Sequence, residues 1–154
     1  MPRTSNRPVD WEQLIADQEN RLYRAALAIL GNREEAEDAV QSAFVTFLEK
    51  APDDLENPGA WLMRVLVNSC ISQLRRTRWR SVPLPDTLPA PEEPERRELE
   101  EIFSLPPEER TVIHLFYYEG YSTDEIARII GKRPGTVRSR LSRARERLRA
   151  LMAQ

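Results

Sequence analysis

The sequence predicts an all-α fold: two small helical domains joined by a proline-rich linker, the second carrying a helix-turn-helix. Three observations predict it. Apolar residues recur every three or four positions along most of the 154-residue chain, which is the period of an amphipathic helix. Glycine is scarce, at five residues, whereas a β-rich fold needs it at many turns. Most of the twelve prolines fall at the N-terminus, in residues 52–58 and in residues 83–94, where they separate helices rather than interrupt them.

The elements follow in chain order. Asp10 is a candidate N-cap for a first helix over 11–30. Leu14, Ile15, Leu22, Ala26, Ile29 and Leu30 fall at helical spacing there, and Gly31 supplies the left-handed end. A second helix runs from about 32 to 50, with Ala36, Val40, Phe44 and Leu48 repeating every four residues and Phe47 beside them. Residues 51–58 hold two prolines and two aspartates and read as a loop. A third helix covers 59–76 along Leu62, Leu66, Cys70 and Leu74, flanked by Trp61, Val65 and Ile71. Five prolines in residues 81–94 then mark an extended linker, so the domains are expected over 9–80 and 95–154.

In the second domain, a helix over 95–103 leads to Leu105-Pro106-Pro107. The next helix, over 107–119, has proline in its first turn and stops at Gly120. Ser122-Thr123-Asp124-Glu125 is a capping box. It starts a short helix with Ile126, Ile129 and Ile130 on one face, ending at Gly131. A last helix runs from Pro134 to about Ala150 along Val137, Leu141, Ala144, Leu148 and Leu151.

Composition excludes several classes of function. With one cysteine, Cys70, and one histidine, His114, neither a Cys/His zinc site nor an intramolecular disulfide can form. No cofactor and no metal are expected. Met1 to Pro8 has no apolar stretch behind it, so it is not a signal peptide. The longest apolar runs, such as Ala25 to Leu30, fall far short of the roughly 20 residues that a membrane span takes. A soluble, cytoplasmic protein with no membrane insertion is expected.

The net charge of −2 hides its distribution. Between residues 64 and 80, Arg64, Arg75, Arg76, Arg78 and Arg80 face no acid, and residues 128–149 carry nine basic residues against Glu146 alone, a net of +8. The acids collect at Glu34, Glu35, Glu37 and Asp38 and from Glu92 to Glu101. Two separated basic blocks suggest two surfaces for phosphate; the alternative is that such helix faces are simply solvated.

A short helix, a turn holding Gly131 and a second helix form the helix-turn-helix arrangement, in which the second helix enters the major groove with its N-terminal part. That part presents Thr136, Arg138, Ser139, Arg140 and, one turn later, Arg143, while Val137 and Leu141 face inward. Arginine can bond two acceptors of guanine, and hydroxyls can bond phosphate or base edges. The competing reading is a helical hairpin with a basic solvent face. On the third helix, Arg64, Asn68, Ser72, Arg75 and Arg76 share one side, suited to phosphates and bases. On the second, Glu34, Asp38 and Gln41 line one side with Glu37 close by. An acidic side cannot lie against DNA, so its partner, if it has one, is a basic protein surface; otherwise it is solvated.

These residues carry a family resemblance. Leu105-Pro106-Pro107-Glu108-Glu109-Arg110, Glu119-Gly120-Tyr121-Ser122 with Glu125-Ile126-Ala127, and Gly135-Thr136-Val137-Arg138-Ser139-Arg140-Leu141 with Arg143-Ala144-Arg145 resemble region 4 of bacterial sigma factors of the extracytoplasmic-function (ECF) type. The stretch from Leu30-Gly31-Asn32-Arg33 through Glu37-Asp38-Ala39-Val40-Gln41 with Phe44 resembles ECF region 2, as do Ala60-Trp61-Leu62 and Leu74-Arg75-Arg76. The resemblance implies a transcription initiation factor, not an enzyme. Such a factor binds core RNA polymerase, at the β′ clamp helices and the β flap, and directs it to promoter DNA. It implies that Thr136, Arg138, Ser139, Arg140 and Arg143 recognise the upstream (minus-thirty-five) element. Arg64, Asn68, Ser72, Arg75 and Arg76 would then recognise and open the downstream (minus-ten) element, with Asn68 and the loop 53–57 near a flipped base. Glu34, Glu37, Asp38 and Gln41 would dock on the polymerase, and an anti-sigma factor is a further implied partner. The chain departs from the family pattern at Ser42 and Ser72, where Glu and Asp are usual. It also has Leu55 in a loop without an aromatic, and Lys132-Arg133-Pro134 where a small or hydroxyl residue often caps the last helix.

Two other readings compete. A stand-alone helix-turn-helix regulator would bind duplex tightly without polymerase, as a dimer on paired half-sites. A helical adaptor docking proteins on its acidic and basic faces would show little salt-dependent affinity for nucleic acid. The carboxylates Glu34-Glu35 and Glu37-Asp38 lack the nearby histidine, thiol or glycine-rich loop that would complete a catalytic site. His114 and Cys70 read as packing residues and Trp11 and Trp61 as core or boundary. Trp79, between Arg78 and Arg80, reads as a DNA contact or a cover for the helix end.

Overall fold

A computed structural model describes residues 10–76 and 101–153. The proline-rich linker, most of the helix expected over 95–103, Trp79 and the side chain of Trp11 lie outside the described residues. Among the described residues there are helices and no strands.

Helix α1 spans Trp11–Leu30; Asp10 accepts from the Gln13 N–H at 3.1 Å, and Gly31 closes it at φ 71° with its N–H on the Leu27 carbonyl. Helix α2 spans Arg33–Lys50, capped by the Asn32 side chain accepting from the Glu35 N–H at 3.0 Å. Helix α3 spans Pro58–Arg76. Its first turn is held by the Asn57 side chain, which accepts from the Ala60 N–H at 3.0 Å. Helices α1, α2 and α3 pack against one another, with Leu22, Ile29, Leu30, Leu62, Met63 and Leu66 fully buried. Trp61 meets Phe47 edge-on at 5.6 Å.

The apolar seams differ from a strict four-residue repeat. In α2 the buried residues are Ala36, Ala39, Val40, Ala43 and Phe47, while Leu48 is 66% exposed. In α3, Met63 and Val67 join the core, and Leu74 is only half-buried. A step of four residues overshoots one turn by about 40°, so three such steps rotate a residue about 120° out of the core. Ile15 is likewise 41% exposed on α1.

Helix α4 spans Pro107–Ile113 and continues into a π-helical segment, His114–Tyr118. A single α-helix over 107–119 is therefore corrected. The wider turn is closed by the Glu119 N–H on the His114 carbonyl at 3.1 Å, and it brings the Tyr118 ring into a stack on His114 at 5.4 Å. Gly120, at φ 76°, ends it. Helix α5 spans Thr123–Ile130 with both capping-box bonds between Ser122 and Glu125 in place, and Gly131 ends it at φ 69°. Helix α6 spans Pro134–Met152 and buries Val137, Leu141 and Ala144. It packs on α4 and α5. The two helical groups also touch: α1 packs on α4 and the π segment, and α3 packs on α5.

Candidate nucleic-acid interface

Burial of Val137, Leu141 and Ala144 fixes how α6 faces solvent. Arg138, Ser139 and Arg143 are exposed, and Thr136 and Arg140 are half-buried at the edge of the same helix. Lys132 and Arg133, just before the helix, are exposed as well, at the end where the helix dipole already attracts phosphate. The C-terminal half of the helix is used differently. Arg145 donates to the Tyr117 hydroxyl at 2.6 Å and lies over the Phe116 and Tyr117 rings. Arg147 donates to the buried Glu109 carboxylate at 3.0 Å. The +8 stretch therefore divides into an outward-facing N-terminal set and two arginines tied to α4 and the π segment.

On α3, Arg64, Ser72, Arg75 and Arg76 are exposed and Asn68 is half-buried. Leu62, Leu66 and Cys70 hold this helix against its neighbours; burial pushes the Cys70 thiol up to about 12, so it is an inert core group. In the preceding loop Leu55 is half-buried against the core, so this position serves packing. On α2, Glu34, Glu37, Asp38 and Gln41 are all exposed. Beyond them Val45 is 52% exposed and Leu48 66%. Glu34, Asp38, Gln41, Val45 and Leu48 step by four, three, four and three, forming one stripe that is acidic at one end and apolar at the other. The three predicted sets thus lie on three helices, each as a face of its own.

Between the helical groups lies a polar cluster that the sequence did not announce. The Glu119 side chain is 1% exposed, 2.9 Å from Arg21 Nε, 3.7 Å from Arg24 Nε and 3.2 Å from His114 Nε2. Burial alone would raise the Glu119 carboxyl; hydrogen bonds from His114 and Arg21 outweigh it and hold the group at about 2. Arg110 is buried. Its guanidinium donates to the Ala28 carbonyl at 2.8 Å, the Ile29 carbonyl at 2.6 Å, the Leu105 carbonyl at 3.2 Å and the Phe103 carbonyl at 3.3 Å. Burial pushes it down to about 10, which leaves it protonated at neutral pH.

Comparison with known proteins gives this geometry its context. Residues 14–80 match Sigma-70 region 2, and residues 98–148 match Sigma-70 region 4. The chain is 33% identical to the ECF RNA polymerase sigma factor SigE of Mycolicibacterium smegmatis, over 94% of this chain and 62% of that one. It is 31% identical to the ECF sigma factor SigM of Mycobacterium tuberculosis, over 92% of this chain and 76% of that one. The chain belongs to the ECF sigma factor family. This ECF sigma factor also superposes on the sigma factor RpoE of Bartonella quintana, solved in complex with the anti-sigma factor NepR. The TM-score is 0.75 at 28% identity, covering 94% of this chain and 97% of that one.

Sequence reasoning missed three features of this sigma factor. Leu48 is hidden because a four-residue repeat reads as core; a 3.6-residue count releases it to the exposed side, next to Val45. The commitment of Arg145 and Arg147 to packing follows from their contacts with α4 and the π segment, which are distant in sequence. Arg110 and Glu119 stand out in the sequence only within motifs, and no local signal marks a contact between residues some 80 to 100 positions apart.

Proposed function

We propose that this sigma factor binds core RNA polymerase and directs it to promoters with two recognition elements, acting in the cytoplasm and without covalent chemistry of its own. Its domains are residues 9–80 and 95–154, tethered by 81–94. Thr136, Arg138, Ser139, Arg140 and Arg143 read the upstream element in the major groove. Arg64, Asn68, Ser72, Arg75 and Arg76 bind the downstream element and help to hold it open. Glu34, Glu37, Asp38 and Gln41, extended by Val45 and Leu48, form the polymerase-docking stripe. An acidic start steers a basic partner surface, and an apolar end supplies buried area.

The observation that carries this reading is the presence of regions 2 and 4 in one chain, with an outward arginine set on α6 and a separate acidic stripe on α2. RpoE, a structural relative, was solved with an anti-sigma factor; by analogy an anti-sigma factor is a partner here. Tethering lets each domain bind weakly alone and tightly together. A mobility shift of promoter fragments with and without core polymerase tests the proposal. A specific complex is expected only when polymerase is present; a tight, sequence-specific complex of the chain alone contradicts it and favours a stand-alone regulator.

A further inference from the structure

Among the described residues, Arg110 is a buried cation that no carboxylate neutralises. It is 5% exposed. Its four hydrogen bonds all end on carbonyl oxygens, those of Ala28, Ile29, Phe103 and Leu105. At least one of the five N–H groups of a guanidinium is then left over. The carbonyls that end α1 carry a helix-dipole charge of about half a unit, so they offset the cation only in part. Buried charges are normally paired. The buried carboxylate nearby in the fold, Glu119, is already engaged by Arg21 at 2.9 Å and His114 at 3.2 Å.

Arg110 forms part of the wall of a cleft of about 210 Å³. Leu27, Ala28, Phe103 and Ile113 give the cleft apolar sides, and Arg24 and His114 join Arg110 in the lining, with no carboxylate among the lining residues. The Arg24 side chain is 57% exposed and reaches Glu119 only at 3.7 Å, too far for a hydrogen bond. A concave, mostly apolar space with a few convergent polar groups is the usual form of a small-molecule site. Charge and size select the occupant. Two arginines facing no lining acid call for an anion. A dry apolar cavity of about 150 Å³ holds benzene, so this one holds roughly eight or nine heavy atoms. One turn of α-helix fills roughly 400 Å³, so the space does not suit a partner helix.

We propose that this cleft binds a small carboxylate with an apolar body of about six carbons, its head held by Arg24 and Arg110 and its body against Leu27, Phe103 and Ile113. The carboxylate supplies the negative charge that Arg110 lacks and gives Arg24 an acceptor at hydrogen-bond distance. The body fills apolar space that the side chains leave open. Head and body each contribute, so neither alone binds as well as the whole.

The test titrates the full chain with benzoate and hexanoate, using benzamide as the neutral isostere of benzoate and acetate as the head alone. Saturable binding of both acids with Kd roughly 0.1–1 mM is expected, with a Tm rise of about 3–6 °C at ten times Kd. Benzamide and acetate are expected to bind roughly tenfold more weakly. Nuclear Overhauser contacts from the benzoate ring are expected at the Leu27 and Ile113 methyl groups. Ala28→Phe fills the cleft and is expected to abolish binding, while Arg24→Gln weakens benzoate roughly three- to fivefold and leaves benzamide unchanged. If Ala28→Phe loses helix content by circular dichroism, Arg24→Gln and the Overhauser contacts still decide. No saturable binding of either acid, benzamide or acetate binding as tightly as benzoate, unchanged benzoate affinity in Arg24→Gln, or contacts elsewhere on the chain overturns the site. These readouts involve neither polymerase nor promoter DNA, so the site stands or falls apart from the function proposed above.

Discussion

Arg147→Ala and Arg138→Ala remove the same charge from the same helix, yet they are expected to act in opposite ways. Arg147 donates to Glu109 at 3.0 Å, and the Glu109 side chain is only 7% exposed. Deleting Arg147 leaves a nearly buried carboxylate without its cation, at a cost of about 2 kcal/mol. For a chain of this size each kcal/mol lowers Tm by roughly 2–4 °C, so a loss of about 4–8 °C is expected. Arg138 is exposed, so deleting it leaves Tm nearly unchanged. In the polymerase–promoter complex the ranking reverses. Under the function proposed above Arg138 supplies a phosphate or base contact; a bidentate contact with guanine is worth about 1–3 kcal/mol, roughly 5- to 150-fold in affinity. If it contacts phosphate instead, the log–log salt slope falls by about one. Arg147→Ala changes neither. Thermal unfolding followed by circular dichroism and a salt titration of holoenzyme binding measure both sides. An Arg147→Ala chain that melts like wild type and loses DNA affinity as Arg138→Ala does would refute the division of α6 into reading and packing halves.

Four further outcomes are expected. Glu119 is held at about 2 against an unfolded value of about 4.3. Its stabilisation, about 3 kcal/mol at most, is therefore complete above about pH 5 and lost as pH falls towards 2; urea unfolding should show the gap between wild type and Glu119→Gln shrinking over that window, and a constant gap would contradict it. Ser122→Ala breaks the capping box and should cost about 1 kcal/mol, read as a small drop in Tm that Ser122→Thr largely avoids. Charging the apolar end of the stripe with Leu48→Glu should weaken capture of core polymerase in a titration while leaving Tm unchanged, because Leu48 is 66% exposed. Asn68→Ala should reduce strand opening at the downstream element, followed by permanganate reactivity of unpaired thymines, without weakening upstream protection.

Much of this was legible in the sequence because local rules and tertiary packing agree. Asp10, Asn32, Ser122, Gly31, Gly120 and Gly131 mark helix ends through their own hydrogen bonds or backbone angles, so they can be read without knowing the neighbours. The turn through Gly131 and the inward Val137–Leu141–Ala144 seam place Arg138 and Arg143 outward by the same logic. The illegible parts depend on distant partners. Whether an arginine reads DNA or holds a carboxylate is decided by Glu109 for Arg147 and by Tyr117 for Arg145. The π turn at His114–Tyr118 answers to the His114–Tyr118 stack and the Glu119 cluster, which override the propensity of an otherwise ordinary helical stretch. The exposure of Leu48 follows from a rotation that accumulates along α2 and is invisible to any single pair of residues.

Run-off transcription with purified core polymerase on pooled promoter fragments tests the central claim most directly. The account predicts discrete transcripts that require this chain and that fade when Arg138 is replaced by Ala. Transcripts indistinguishable from those of core polymerase alone would contradict it.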